Sequence, residues 1–164
     1  MTRLGASDRL HATLTPPVLI ATEDTFPKLV KWNAERFPDK VAIREKEYGI
    51  WQSYTWRDYF DESRLIALGL LSLDFTRGDK TAIIGDNRPP LYWSVMATQA
   101  LGGVPVPLYQ DSIERELAYI VDHAEARFAV VEDQEQVDKL LHVKAQCPGL
   151  EYIVYVDQIG RAHV

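Results

Sequence analysis

The chain has 164 residues, enough for one domain with a real core. It is 46% hydrophobic and 26% charged with a net charge of −6, an ordinary globular composition, and its acidic balance with no basic stripe argues against a nucleic-acid partner. Its one cysteine, Cys147, supplies neither a disulfide framework nor a metal cluster and fits a reducing cytosol, while no window reaches the roughly 18 apolar residues of a membrane-spanning helix.

Residues 1–24 read as an extended arm containing Pro16 and Pro17. Its longest apolar run, Val18 to Ala21, is too short for the core of a signal peptide, which takes roughly 7–15 residues. Peripheral contact with the inner membrane face stays open. Thr25 is placed to cap a first helix, with Pro27 in its first turn and Leu29, Val30, Asn33 and Phe37 at helical spacing before Pro38. "VAIRE" (41–45) and "WQSYTW" (51–56) flank Tyr48-Gly49 as a hairpin. Thr55-Trp56-Arg57-Asp58 then matches a capping box. The helix it opens carries Trp56, Tyr59, Phe60, Ile66, Ala67, Leu70 and Leu71 as an apolar stripe. Ser63 interrupts that stripe, and Gly69 is read as a point of close packing.

From Arg77 a repeating rhythm begins. "RGDK" turns the chain into the apolar strand "TAIIG" (81–85). A helix follows from Pro89 to Leu101, with Leu91, Tyr92, Val95, Met96 and Gln99 on one face and Gly102-Gly103 at its end. "VPVPL" (104–108) is a strand whose prolines remove ladder donors, which places it at an edge. Asp111 or Ser112 caps the next helix, with Ile113, Leu117, Ile120, Val121 and Ala124 inward. "RFAVVE" (127–132) is a further strand. Val137, Leu140, Leu141 and Ala145 mark a last helix, and Pro148-Gly149 turns into the strand "LEYIVYV" (150–156). Continuous apolar strands alternating with helices predict an α/β fold: a mainly parallel sheet with helices on both faces.

Few residues point to chemistry. There is no G-x-x-x-x-G-K-[ST] and no G-x-G-x-x-G. "IIGDNRPPLYW" leaves the carboxyl end of a strand and opens a helix, where ligands bind in open α/β sheets. That makes Asn87 and Arg88 the candidate binding residues, Arg88 for a phosphate or carboxylate. The favoured alternative is that Asn87 caps the helix and Arg88 is solvated. His11, His123, His142 and His163 lack metal-ligand spacing, and His123 ends a helix where a cation suits the dipole. Asp58, Asp61 and Glu62 read as a solvated face, and Trp51, Tyr54, Trp56, Tyr59 and Phe60 as core. The residues alone therefore predict no catalytic set and no metal site.

The wording of five blocks adds to this. "FPKLVKWNAERFPDKVAIREKEYGIWQSYTWRDY", "RGDKTAIIGDNRP", "ALGGVPVPLYQDS", "ELAYIVDHAEARFAVVEDQEQVDKLL" and "LEYIVYVD" occur in that order. They resemble the N-terminal region of AMP-forming acyl-CoA synthetases of the adenylate-forming superfamily, from Thr25 to Asp157. "GIWQSYTW" and "PLYQDS" are most similar to bacterial long-chain fatty acyl-CoA synthetases. One departure is that Pro90, Leu91 and Tyr92 stand where the family usually carries an acidic residue and Trp. The resemblance implies a two-step ligase. A fatty carboxylate attacks the α-phosphate of ATP and releases pyrophosphate, and the coenzyme A thiol then displaces AMP. It implies ATP, Mg²⁺ and coenzyme A for the full-length enzyme, none of them bound by this piece alone.

The family's phosphate loop ending in Pro-Lys-Gly, its acidic ATP- and Mg-binding motif, its ribose-binding Asp, its hinge and its catalytic Lys are not in this sequence, so no catalytic residue carries over. Residues 25–157 are thus expected to be a truncated N-terminal portion of the AMP-binding domain, contributing part of its sheet and a wall of the acyl site, and inactive alone. The alternatives are an adenylating enzyme for another carboxylic acid, or a short non-catalytic α/β binding domain. Residues 158–164 read as sequencing-adapter read-through, since Ile159 to Val164 reverse-translate as ATC GGA AGA GCA CAC GTC. Other codons at those positions would refute that.

Overall fold

The computed structural model describes residues 24–155. The expected arm, His11, His163, Asp157 and the adapter-like end lie outside the described residues.

Helix α1 spans Phe26–Arg36, with Thr25 at its N-cap and Pro27 in its first turn. The Thr25 side chain makes no capping hydrogen bond. Strands β1 (Val41–Glu47) and β2 (Ile50–Thr55) form the hairpin, with Glu47 opposite Ile50. Tyr48 and Gly49 take φ of +47° and +81°, the positive pair a two-residue type I′ turn demands. Helix α2 (Trp56–Ser72) starts on a full capping box. The Asp58 N–H donates to Thr55 Oγ1 at 3.2 Å, and the Thr55 N–H donates to the Asp58 carboxylate at 2.7 Å.

The predicted stripe on α2 is rotated in part. Ser63, Ala67 and Leu70 are buried, while Leu71 faces out with Leu65 and Leu68. Ser63 is tolerated inside because its hydroxyl donates to the Tyr59 carbonyl at 2.7 Å. The close packing expected at Gly69 is absent: a Cβ there would meet nothing within 4 Å.

Strands β3 (Lys80–Ile84), β4 (Val104–Leu108), β5 (Phe128–Val131) and β6 (Tyr152–Tyr155) make a parallel sheet in the order β4-β3-β5-β6. They alternate with α3 (Pro89–Ala100), α4 (Glu114–His123) and α5 (Gln134–Val143), the last followed by a 3₁₀ turn at Lys144–Gln146. Side-chain alternation splits the sheet into two faces. Ala82, Ile84, Ala129 and Val131 join Leu117, Val121, Leu140 and Val143 of α4 and α5 in one core. Phe128 joins Leu70, Phe75 and Ala97 on the opposite face, where α1, α2 and α3 contact one another. Helices thus cover both faces, as the continuous apolar strands predicted.

The edge position of β4 also follows from its sequence. The Val104 N–H donates inward to the Asp79 carbonyl at 2.9 Å. Alternation then turns the nitrogens of Pro105 and Pro107 outward, where the sheet needs no donor. At the amino ends of the strands, Arg127 binds Asp79 at 3.0 Å and Glu151 at 2.7 Å, which ties the starts of β3, β5 and β6.

Two helix readings differ from the sequence. On α3 the buried residues include Leu91, Trp93, Ser94, Ala97 and Thr98, while Tyr92 is exposed. This helix lies between the sheet and α1 and α2, so it has no single apolar stripe for periodicity to find. On α4 the N-cap is Ile113, with no side-chain cap, rather than Asp111 or Ser112. The Ser112 N–H is used in a turn to the Tyr109 carbonyl at 3.1 Å.

Candidate active-site face at the carboxyl ends of the strands

The chain reverses its direction of travel across the sheet at β3. The connection through α3 leads outward to β4, and the one through α4 returns past β3 to β5. The crevice between the carboxyl ends of β3 and β5 is therefore the switch point where open α/β sheets bind ligands. Here it is filled. The Asp86 N–H, first in the loop after β3 and Gly85, donates to the Glu132 carboxylate at the end of β5. Glu132 lies so close over Gly85 that a Cβ there would fall 2.6 Å from the Glu132 Cβ.

Arg88 completes the plug, and the expected roles of Asn87 and Arg88 change. Arg88, not Asn87, is the N-cap of α3, and no side chain caps this end. Arg88 is partly exposed but is held in ion pairs rather than free in solvent. Its guanidinium binds Glu45 at 2.6–2.7 Å through two nitrogens, Glu47 at 3.0 Å and Glu132 at 3.5 Å. Glu45 and Glu132 are 11% and 18% exposed, so these pairs are shielded from water more than surface pairs are. Burial by itself would lower the Arg88 pKa. The Glu45 hydrogen bond and charge, with Glu47 and Glu132, outweigh it and hold the guanidinium above its ordinary value. The pairing joins the β1–β2 hairpin to the loop after β3. Sequence reading missed Glu45, Glu47 and Glu132, because partners more than 40 residues away leave no local spacing. The one available signal was the position of Glu132 at a strand's carboxyl end.

The open space lies on the other side of β3. A cleft of about 540 Å³ opens between the ends of β3 and β4 and α3. Its walls include Ile83, Leu91, Val95 and Leu108, with Tyr92 and Tyr109 beside them. Asp86, Asn87 and Asp111 line it as well. The Gln110 side chain donates to Asp86 Oδ1 at 2.8 Å and links the two loops. The Gln110 carbonyl accepts from Lys139 at 2.8 Å, and Lys139 also pairs with Glu135 at 2.8 Å.

The remaining candidates have structural roles. His123 ends α4 and stacks on Tyr119, with ring centroids 5.4 Å apart. His142 meets Glu114 at 2.9 Å. Tyr54 packs edge-on against Trp93, and Trp56 stacks on Tyr59. Trp51, expected in the core, is 64% exposed because four of the six β2 residues face solvent. Burial first, then Tyr92, pushes Tyr59 up to about 12, so it remains a neutral phenol.

The described residues do not fit the phosphates of ATP or a magnesium ion. Helix α3 opens with Pro89 and Pro90, which lack the N–H groups that make a helix N-terminus an anion site. The nearby Asp86 amide and the Arg88 guanidinium are both taken by Glu132. Among the described residues, no group of three His, Cys, Asp or Glu side chains is placed to hold a metal ion. No described helix is long and apolar enough to cross a membrane.

Comparison with known proteins follows the same lines. The pattern of the AMP-binding enzymes matches residues 30–163. The long-chain-fatty-acid–CoA ligase ACSBG2 of Xenopus laevis is 28% identical over 145 residues, covering 88% of this chain and 19% of that protein. The 4-hydroxybutyrate–CoA ligase 2 of Metallosphaera sedula is 34% identical over 110 residues, covering 67% of this chain and 19% of that protein. The crystal structure of the anthranilate CoA ligase AuaEII superposes with a TM-score of 0.73 at 20% identity, over 79% of this chain and 24% of that one. A putative long-chain-fatty-acid CoA ligase from Rhodopseudomonas palustris superposes with a TM-score of 0.72 at 22% identity, over 82% of this chain and 33% of that one. At such identities the superpositions establish the fold. The chain spans about a fifth of the length of these curated relatives. Sequence match and parallel-sheet architecture agree, and the chain belongs to the AMP-binding enzyme family as part of the large N-terminal domain of the adenylate-forming fold.

Proposed function

We propose that residues 25–157 are the N-terminal portion of a long-chain fatty acid–CoA ligase. In that reaction a fatty acid is activated with ATP to an acyl-adenylate, and the acyl group passes to coenzyme A. The observation that carries the substrate class is the match to a long-chain-fatty-acid–CoA ligase over 88% of this chain. In this reading the sheet contributes a wall of the acyl site. Magnesium and the ATP phosphates are held by other parts of the enzyme, because the plugged switch point and the double-proline helix start do not suit them. This chain alone is inactive, and peripheral contact with the inner membrane face belongs to the whole enzyme.

A second reading rests on one specific match. The relative named for 4-hydroxybutyrate is more identical to this chain, at 34%, over a shorter stretch. An adenylating enzyme for a short hydroxy acid is therefore the competing assignment. Two observations decide. The nucleotide sequence after the codon for Asp157 is expected to encode a Ser/Thr/Gly-rich loop ending in Pro-Lys-Gly, and its absence overturns the ligase reading. Acid-dependent ATP–pyrophosphate exchange by that longer product is expected with hexadecanoate rather than 4-hydroxybutyrate. The reverse preference establishes the second reading.

A further inference from the structure

The β1–β2 hairpin sorts its charges by face. Directly opposed residues of an antiparallel pair share a face. Arg44 with Ser53 and Lys46 with Trp51 therefore lie on one side, and Glu45 with Gln52 and Glu47 with Ile50 on the other. The two acids are paired with Arg88. The outward side carries two cations and Trp51 with no Asp or Glu among them, and Arg44, Lys46, Trp51 and Ser53 are all exposed. Neither cation enters an ion pair among the described residues. At the turn Tyr48 is 96% exposed and Ile50 beside it 65%, so the tip has little of its own chain against it.

This make-up matches a lipid surface. Trp and Tyr rings favour the boundary between headgroups and acyl chains, where one end is apolar and the other wet. Lys and Arg are drawn to anionic headgroups at the same depth. The chain as a whole is acidic, with a net charge of −6, so attraction to an anionic bilayer has to come from a local cationic face. No described helix is long and apolar enough to cross a membrane. We infer that the outward face of the β1–β2 hairpin docks on anionic phospholipid bilayers, with Trp51, Tyr48 and Ile50 among the headgroups and Arg44 and Lys46 on their phosphates. Glu47 is the last strand residue before the turn and is held by Arg88 of the loop after β3, so the docked tip is anchored beside the candidate active-site face. Docking here deepens the ligase reading by naming the surface of its peripheral membrane contact, and it rests on that reading for its purpose, the delivery of a membrane-dissolved acid.

Co-sedimentation of the 164-residue chain with phosphatidylcholine vesicles, alone or with about 30% phosphatidylglycerol, tests it. Binding about tenfold tighter to the anionic vesicles is expected, since two basic residues supply the attraction and the acidic remainder offsets part of it. Salt at about 0.5 M closes most of that preference. Arg44→Gln/Lys46→Gln abolishes the preference. Tyr48→Asn/Trp51→Thr weakens binding to anionic vesicles about tenfold; Asn suits the positive φ of the turn and Thr suits a strand, so the hairpin is kept. Leu65→Ser/Leu68→Ser, on the exposed side of α2, leaves binding unchanged. Equal binding to neutral and anionic vesicles overturns the inference. So does binding indifferent to either hairpin variant, binding lost with the α2 variant, or no binding to either vesicle. A dimer in solution that Trp51→Thr dissolves also overturns it, by assigning the face to a second copy. Pyrophosphate exchange by the longer product is read without vesicles, so the ligase reading stands or falls separately.

Discussion

At the residue scale, Arg88 is the most connected side chain of the site and Gly85 the most constrained backbone position. Arg88→Ala leaves the shielded carboxylates of Glu45 and Glu132 without their cation. Because Arg88 is itself 41% exposed, the expected loss is about 1–2 kcal/mol rather than the larger figure for a fully buried pair. Arg88→Lys keeps the charge but loses the two-nitrogen grip on Glu45, so it recovers only part of that loss. A urea midpoint series measures both. Two glycines make a paired prediction of opposite sign. Gly85 has φ +156° and Glu132 against it, so Gly85→Ala destabilises by about 2 kcal/mol or more. Gly69 lies mid-helix in open space, so Gly69→Ala stabilises by about 0.5–1 kcal/mol. Thermal melts of the two variants check this, and a destabilising Gly69→Ala would show that the helix surface is covered.

At the scale of elements, the ends of helices and the edges of the sheet set what forms. The hydrogen bonds to Thr55, backbone first, hold the Asp58 carboxyl below the usual range. A depressed folded pKa contributes stability above the unfolded value near 4 and loses it as pH falls through the folded value. Asp58→Ala therefore destabilises by about 1 kcal/mol at pH 7, and the difference from the unaltered chain closes below about pH 4. Denaturant melts at pH 7 and pH 3 measure that closing. On β4, Pro105→Ala with Pro107→Ala restores two outward N–H donors on an edge without charged residues. Light scattering is expected to show more association than for the unaltered chain; an unchanged monomer fraction would mean the prolines do not guard the edge.

Elements were legible wherever the signal was local. The hairpin turn at Tyr48-Gly49, the capping box at Thr55 and the edge prolines of β4 each name their structure in a few residues. The stripe of α3 was not legible, because burial on several sides erases the period that a solvent face creates. The Ile113 cap was missed because two better capping residues stand just before it, and Ser112 spends its backbone on a turn. Of the candidate site, the sequence pointed to the carboxyl ends of the strands and to Arg88. It could not show that three distant glutamates close on that residue, nor that the open cleft lies one strand over. Those depend on chain crossings that leave no spacing in the sequence.

At the scale of the whole molecule, the fold presents a sheet whose carboxyl ends are shaped for a ligand, with the usual anion position occupied by the protein's own Glu132. In the proposed reading this part of an AMP-binding enzyme frames a substrate while other segments hold the nucleotide. At the switch point the Asp86 amide and the Arg88 guanidinium are both paired with Glu132. We propose that this chain is a framing part of a fatty acid–CoA ligase whose ATP chemistry is carried out by other segments. Fatty-acid-dependent ATP–pyrophosphate exchange by the purified 164-residue chain tests it most directly. No exchange above the blank is expected with hexadecanoate, ATP and magnesium present; sustained exchange that depends on the fatty acid would overturn the proposal.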